Sequence, residues 1–188
     1  RLARSANGGA SFAELPALAD IQGVGEPALA VGAAGQVFVV WAEQTTPEGV
    51  QADVGAAAAE LRRRGVSTIF TVGFCFGGRH SWLAAAAGHG LKGAVGFYGM
   101  PAGDSPSPID QVPQMDAPIL ALQGGADQHI TAEHNAAFDE ALSEAGVEHE
   151  VIAYPGAPHS FFDRKQEEFA SDSEDAWNRT LDFIERYA

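Results

Sequence analysis

The amino-acid sequence predicts an α/β fold in which a mostly parallel sheet is flanked by helices. Short apolar, β-branched segments alternate with segments of helical periodicity, and most of them end at glycine or proline turns. Repeated units of this kind imply right-handed β-α-β crossovers and parallel strands. The length of 188 residues suits one domain over residues 1–188. The composition, 46% hydrophobic and 19% charged, is that of a globular protein.

The charge balance disfavours several classes of partner. Asp and Glu (25) outnumber Lys and Arg (11), and the net charge of −14 argues against binding to nucleic acid or to an anionic membrane surface. No segment approaches the ~18 apolar residues of a membrane-spanning helix. The chain starts at Arg1 rather than Met, without the apolar region of a signal peptide, which suggests a trimmed chain or a fragment. The single cysteine excludes an internal disulfide and fits a reducing compartment, so we expect a cytoplasmic protein.

The elements are predicted in order from periodicity and from start and stop residues. Residues 1–36 are rich in alanine and glycine, and we expect them to be weakly structured or atypical. A helix should begin at a capping box of Thr45 and Glu48 and stop at Gly65. Short apolar or β-branched runs predict strands over 37–42, 67–72, 93–98, 118–123 and 148–154. Further helices are expected over 78–88, 131–145 and 165–187, with a loop over 100–113.

One predicted turn has the form of a nucleophile elbow. Functional residues of a parallel sheet gather beyond the carboxyl ends of its strands. Between a strand and a helix, the segment Gly73–Gly78 has the pattern Gly-x-Cys-x-Gly, with Cys75 as nucleophile. The helix N-terminus favours a thiolate, and the N–H of Phe76 can point at a developing oxyanion. The alternative is a buried, inert cysteine beside a glycine-rich turn.

Two further turns carry an acid and a base. Asp127 follows the strand that ends at Gln123; it can orient an imidazole, although aspartates are also common in turns and caps. His159 follows the last strand and can act as general base, and the alternative is a surface histidine. The order nucleophile, acid, base is that of α/β-hydrolases. His80 is close to Cys75 in sequence, but on its helix it should face away from the thiol.

These motifs resemble those of the dienelactone hydrolase family over roughly residues 44–188. The resemblance is carried by the segments Gly73–Gly78, Gly124–Asp127, Pro155–Phe162, Gln44–Val50 and Gly96–Gly99. It implies a compact α/β-hydrolase fold without a cap and a carboxymethylenebutenolidase-like hydrolase of esters and lactones. The matching positions are Cys75 as nucleophile, Asp127 as orienting acid and His159 as base, acting through a thioester. No metal or organic cofactor is needed for this chemistry.

Four residues near these turns are candidates for substrate binding. Ser160 matches a family position that helps to hold a substrate carboxylate, and Arg164 lies one place off the spacing of an assisting arginine. Tyr98 and Phe161 could line an apolar pocket, with core packing as the equal alternative. Residues 1–43 match neither the family's upstream strands nor its loop with the second oxyanion donor. We therefore expect the N-terminal strands of this fold to be missing or altered.

Two alternatives to an ester or lactone hydrolase remain open. A thiol enzyme of the glutamine-amidotransferase type also uses a cysteine elbow, but it needs a carboxylate two residues after the histidine, where this chain has Phe161. A non-catalytic or incomplete homologue could act as a binding protein, and the unmatched N-terminal segment supports that interpretation. As partner we expect a small-molecule ester or lactone, with neither nucleic acid nor membrane, and a monomer is favoured over an oligomer.

Overall fold

The strands form one sheet whose second half carries the predicted elbow. A computed structural model describes residues 46–188 throughout and, before them, the four strands at 3–5, 13–14, 27–32 and 36–41. The described strands are β1 (Ala3–Ser5), β2 (Ala13–Glu14), β3 (Pro27–Gly32), β4 (Gln36–Trp41), β5 (Phe70–Phe74), β6 (Gly93–Phe97), β7 (Ile119–Gly124) and β8 (His149–Tyr154). Their order in the sheet is β2-β1-β4-β3-β5-β6-β7-β8.

Helices cover both faces of the sheet. They are α1 (Pro47–Arg63), α2 (Phe76–Ala86), α3 (Pro108–Gln111), α4 (Ala132–Ala145) and α5 (Ala170–Tyr187), with a 3-10 turn at Val112–Gln114. One apolar cluster joins α1, α2 and α4 to the sheet and contains Leu61, Trp82 and Phe138. A second cluster joins α5 to the opposite face through Ala176 and Phe183. None of the helices within the described residues is long and apolar enough to cross a membrane.

The parallel part of the sheet is β5 to β8, and there the predicted α/β fold with helices on both faces is confirmed. The N-terminal strands are antiparallel, and β3 meets β5 through the pair Leu29 and Val72. The mostly parallel sheet expected from the sequence therefore holds for the C-terminal half. A parallel pair of strands needs a connection of a dozen or more residues. Only the three positions 33–35 lie between β3 and β4. Apart from β1 to β3 and Gln36, the first residue of β4, residues 1–36 lie outside the described part of the chain.

Several helix starts differ from the sequence-based expectation, and α2 begins at Phe76 rather than at residue 78. The cap of α1 is Thr46, whose hydroxyl accepts the N–H of Gly49 at 3.2 Å, rather than Thr45, which lies outside the described residues. The last helix begins at Ala170 rather than residue 165, because 160–169 folds as turns. The predicted loop over 100–113 also contains α3 and the start of the 3-10 turn.

A buried histidine joins α2 to α1. His80 is 3% exposed, its carbonyl accepts the Nε2–H of Gln51 at 3.1 Å, and its ring lies 4.2 Å from that of Phe76 between centroids. Burial, followed by the positive charge of Arg79, lowers the pKa of His80 to about 4. The imidazole is therefore neutral at pH 7.

His80 should make the stability of the fold depend on pH. Its folded-state pKa of about 4 lies below the ordinary 6.5, so its contribution is present above pH 6.5 and is lost as the pH falls toward 4. Between pH 7 and pH 5, we expect the free energy of unfolding to fall by about 2 kcal/mol more in the parent than in His80→Gln, measured by urea denaturation. An equal fall in both proteins would contradict a neutral buried His80.

Candidate active site

The backbone at Cys75 adopts a conformation that few side chains favour. Its φ is 54° and its ψ is −116°, in a sparsely populated region. A Cβ on Gly73 would lie 2.0 Å from the carbonyl oxygen of Gly77, so only glycine fits there. A Cβ on Gly78 would lie 2.6 Å from the carbonyl oxygen of Phe97, which also accepts the N–H of Cys75 at 2.9 Å. These close contacts fix the sulfur at the carboxyl end of β5.

His159 connects the sulfur to a carboxylate. Its Nε2 lies 3.2 Å from Cys75 Sγ, and its Nδ1 lies 2.6 Å from Asp127 Oδ2. An ionised carboxylate can only accept, so Nδ1 carries the proton and Nε2 presents its lone pair to the thiol. The imidazole is about one third exposed, which leaves it within reach of solvent. This arrangement fits a general base for Cys75.

Asp127 is held rigidly behind the histidine. Its carboxylate is fully buried, and Oδ1 accepts the N–H of His129 at 2.9 Å and that of Ile130 at 3.1 Å. Burial raises the pKa of Asp127, but the N–H of His129, the His159 ring and the N–H of Ile130 outweigh it and hold that pKa below its ordinary value. Asp127 is therefore ionised at neutral pH and keeps His159 in one tautomer.

The predicted oxyanion donor lies at the start of α2. Phe76 is the first residue of this helix, and the N–H groups of a first turn have no acceptor within the helix. The positive end of the helix dipole lies at the same place and favours negative charge on the sulfur or on a bound oxyanion. The Phe76 side chain is 44% exposed and lies over His80. The predicted role, donation to an oxyanion, belongs to the backbone N–H of Phe76 and does not involve this side chain.

The two aromatic candidates are both core residues. Tyr98 is buried at a φ of 36°, and its ring centroid lies 5.0 Å from that of His159. Phe161 is 0% exposed and packs against Tyr98 and Tyr154 at centroid distances of 5.7 and 5.1 Å. Tyr98 therefore lies next to His159, whereas Phe161 packs against Tyr98 within the core.

The two polar candidates lie on the turn after the histidine. Ser160 has a φ of 60° and is half-buried, and its carbonyl accepts the N–H groups of Arg164 and Lys165 at 3.2 Å each. Arg164 is exposed. The structure thus places Ser160 beside His159 and Arg164 one helical turn further along, and their predicted roles toward a substrate carboxylate stay predictions.

A row of aromatic rings begins next to the nucleophile. Phe74, the residue before Cys75, stacks on Phe97 at 4.8 Å and on Phe162 at 5.6 Å between ring centroids. Phe162 in turn lies 6.1 Å from Trp177 on α5. Phe97 is fully buried, and exposure increases along the row to 36% at Trp177. The row gives the region beside Cys75 an apolar wall.

Sequence reasoning missed two contributions to the site. The N–H groups of His129 and Ile130 orient Asp127 through the backbone, so no side-chain pattern could have indicated them. Trp177 lies on a separate helix, about a hundred residues after Cys75. The amphipathic pattern of that helix indicated only that one of its faces is packed. In the described part of the chain, no group of three His, Cys, Asp or Glu side chains could hold a metal ion.

Comparison with known proteins finds relatives that match most of this chain. A protein named "Putative carboxymethylenebutenolidase" from Escherichia coli (strain K12) is 39% identical over 146 residues, which are 73% of this chain and 54% of that protein. A protein of the same name from Saccharolobus solfataricus is 31% identical over 150 residues, 79% of this chain and 56% of that protein. The crystal structure of a putative dienelactone hydrolase from Klebsiella pneumoniae is 30% identical, with a TM-score of 0.67, over 77% of this chain and 63% of that one.

These matches cover most of this chain but a smaller share of each relative. The chain spans about half the length of the curated relatives it matches. The pattern of the dienelactone hydrolase family covers residues 30–188, starting earlier than the residue 44 indicated by the motifs. Because this range is most of the chain, the protein belongs to the dienelactone hydrolase family.

Proposed function

We propose that the protein hydrolyses carboxylic esters or lactones through Cys75, His159 and Asp127, with a thioester intermediate. The observation that carries the proposal is the chain of contacts from Sγ through the imidazole to the buried carboxylate, 3.2 Å and 2.6 Å long. Membership of the dienelactone hydrolase family supports the same reaction class. The names of the relatives point to a lactone substrate.

The first step is activation of the thiol. His159 Nε2 accepts the proton of Cys75 Sγ, and the resulting imidazolium is stabilised by Asp127 through Nδ1. The dipole of α2 stabilises the thiolate. The buried carboxylate is already ionised at neutral pH, so no further proton has to move.

Acyl transfer to sulfur follows. The thiolate attacks the carbonyl carbon, a C–S bond forms, and the carbonyl oxygen becomes an oxyanion that accepts the N–H of Phe76. When the intermediate collapses, the C–O bond breaks and the leaving oxygen takes the proton from His159 Nε2. An ester releases an alcohol in this step, whereas a lactone keeps the new hydroxyl group on the acyl chain.

Water then completes the cycle. His159 Nε2 accepts a proton from water, and the oxygen attacks the thioester carbonyl carbon. The C–S bond breaks, the sulfur regains its proton from the imidazolium, and a carboxylic acid leaves. The apolar wall beginning at Phe74 suits an uncharged acyl group during both steps.

The amidotransferase alternative is less well supported. Such enzymes need a carboxylate two residues after the histidine, and here that position is the fully buried Phe161. The orienting carboxylate is supplied instead by Asp127 after β7. A small-molecule ester or lactone as partner, a monomeric state and a cytoplasmic location stay predictions from the sequence.

The triad hypothesis predicts loss of activity in two variants. We expect Cys75→Ala and His159→Ala to lower kcat/KM for p-nitrophenyl butyrate by at least about 10³-fold, because both residues take part in proton transfer and acyl transfer. His149→Ala is the matched control: this histidine is the first residue of β8, at the opposite end of the strand from the site, and it contacts the carbonyl of Val147 at 2.6 Å. Its activity should equal that of the parent.

The outcomes separate the alternatives. Parent-level esterase activity in folded Cys75→Ala would exclude the thiol mechanism. A folded parent without activity on aliphatic esters, aromatic esters and lactones would favour a non-catalytic homologue. Circular dichroism and the urea midpoint establish that each variant is folded.

The orienting role of Asp127 has a separate signature. Asp127→Asn should lower kcat by about 10³–10⁴-fold with KM within about threefold, since the amide can hold the wrong tautomer of His159. Asp139→Asn removes an exposed carboxylate that contacts His149 at 3.3 Å and should leave kcat unchanged. Equal kcat in Asp127→Asn and the parent would contradict the proposed role of the buried carboxylate.

A further inference from the structure

The guanidinium of Arg79 holds a segment of backbone that no helix or strand contains. Its Nη1 donates to the carbonyl oxygens of Met100 at 3.0 Å and Ala102 at 2.7 Å. Its Nη2 donates to the carbonyl oxygens of Pro106, at 2.9 Å, and Asp104. Residues 100–106 belong to neither a helix nor a strand, so one side chain binds carbonyls that regular secondary structure would pair with backbone N–H groups.

The chemistry of this contact requires an arginine. The planar guanidinium offers five N–H donors in a fixed fork, whereas a lysine offers a single point of charge. Burial lowers the pKa of Arg79, and the negative charges of Asp104 and Asp110 oppose that effect, so the group stays charged at neutral pH. A cation bound to four carbonyl oxygens is not available for an anionic ligand.

Arg79 also stands on the helix that begins at the nucleophile. Its own N–H donates to the carbonyl of Cys75 at 3.2 Å, in the first turn of α2. The backbone of Gly99 lies directly on this turn, since a Cβ there would be 2.6 Å from the nitrogen of Arg79. On the other side, Gln123 Nε2 donates to the carbonyl of Gly99 at 3.0 Å. The start of the 100–106 segment is therefore fixed against the elbow.

The same segment contributes to the apolar surroundings of the sulfur. Met100 packs against the cluster on the α5 face of the sheet, as do Cys75, Phe74 and Phe162. It follows Tyr98 and Gly99, and Tyr98 lies beside the His159 ring. A displacement of the 100–106 backbone would thus be felt at the place where an acyl group has to fit.

We propose that Arg79 is a positioning residue that fixes the 100–106 segment as one wall of the acyl-binding region and thereby sets which acyl groups are accepted. This inference rests on the proposed hydrolase function for its kinetic consequence. Arg79 does not touch the reacting atoms. Its effect is on the size and shape of the space beside Cys75.

The test compares Arg79→Met and Arg79→Lys with a matched control, all in the full chain. Arg62→Met is that control, because Arg62 likewise binds two backbone carbonyls, those of His89 and Gly90, at the amino end of β6 away from the elbow. The kinetic measurement is kcat and KM for p-nitrophenyl acetate, hexanoate and benzoate. The discrimination between acetate and benzoate reports on the acyl-binding wall.

Arg79→Met should raise KM for hexanoate and benzoate and change the acetate-to-benzoate discrimination by about tenfold, with kcat for acetate within about threefold. Hydrogen exchange of the 100–106 amides should become at least about tenfold faster. Arg79→Lys should recover part of the thermal stability but not the discrimination. Arg62→Met should lose thermal stability without changing discrimination.

A second measurement does not depend on hydrolysis. The rates at which iodoacetamide and the larger N-phenylmaleimide alkylate Cys75 give a size selectivity, which should change in Arg79→Met and Arg79→Lys but not in Arg62→Met. If the parent hydrolyses no ester, the proposed function fails while this ratio still tests the wall. Unchanged selectivity in both Arg79 variants, whether or not exchange becomes faster, would overturn the inference, and so would an equal change in Arg62→Met. If Arg79→Met does not fold, Arg79→Lys decides.

Discussion

The strained backbone at Cys75 is the constraint on which the rest of the site depends. A side chain at positive φ between a strand and a helix requires glycine at 73 and 78, because the backbones of residues 77 and 97 approach too closely for a Cβ. The strain is held by β5, β6 and α2 together. This conformation places the sulfur at a helix N-terminus, next to an N–H group that has no acceptor within the helix.

The parallel strands bring the other members of the site to the same edge. Cys75 and His159 are 84 positions apart in sequence and Asp127 and His159 are 32 apart, yet the three lie in the turns that follow β5, β7 and β8. Between them, β6 ends at Phe97, and Tyr98 and Gly99 lead into the segment bound by Arg79. At this edge, the hydrogen-bonded side chains of Cys75, His159 and Asp127 therefore lie next to an apolar region formed by aromatic rings and Met100.

The sequence indicated the parallel half of the fold well, because β5 to β8 are short apolar runs that end in glycine or proline turns. It indicated Cys75, Asp127 and His159 through local patterns at strand ends, and the structure brings these side chains into contact. It could not indicate the backbone donors at 129 and 130 or the binding of four carbonyls by Arg79, since neither leaves a residue pattern. The antiparallel pairing of β3 with β4 and β5 depends on contacts along the sheet rather than on local periodicity.

Trapping the thioester tests most directly whether the acyl group passes through Cys75. The protein is mixed with p-nitrophenyl butyrate, quenched with acid within the first turnover, digested and analysed by peptide mass spectrometry. We expect a butyryl group on the peptide that contains Cys75, formed with the burst of nitrophenol and lost at the rate of steady-state turnover. Turnover without acylation of Cys75, or with the butyryl group on another residue, would contradict the mechanism.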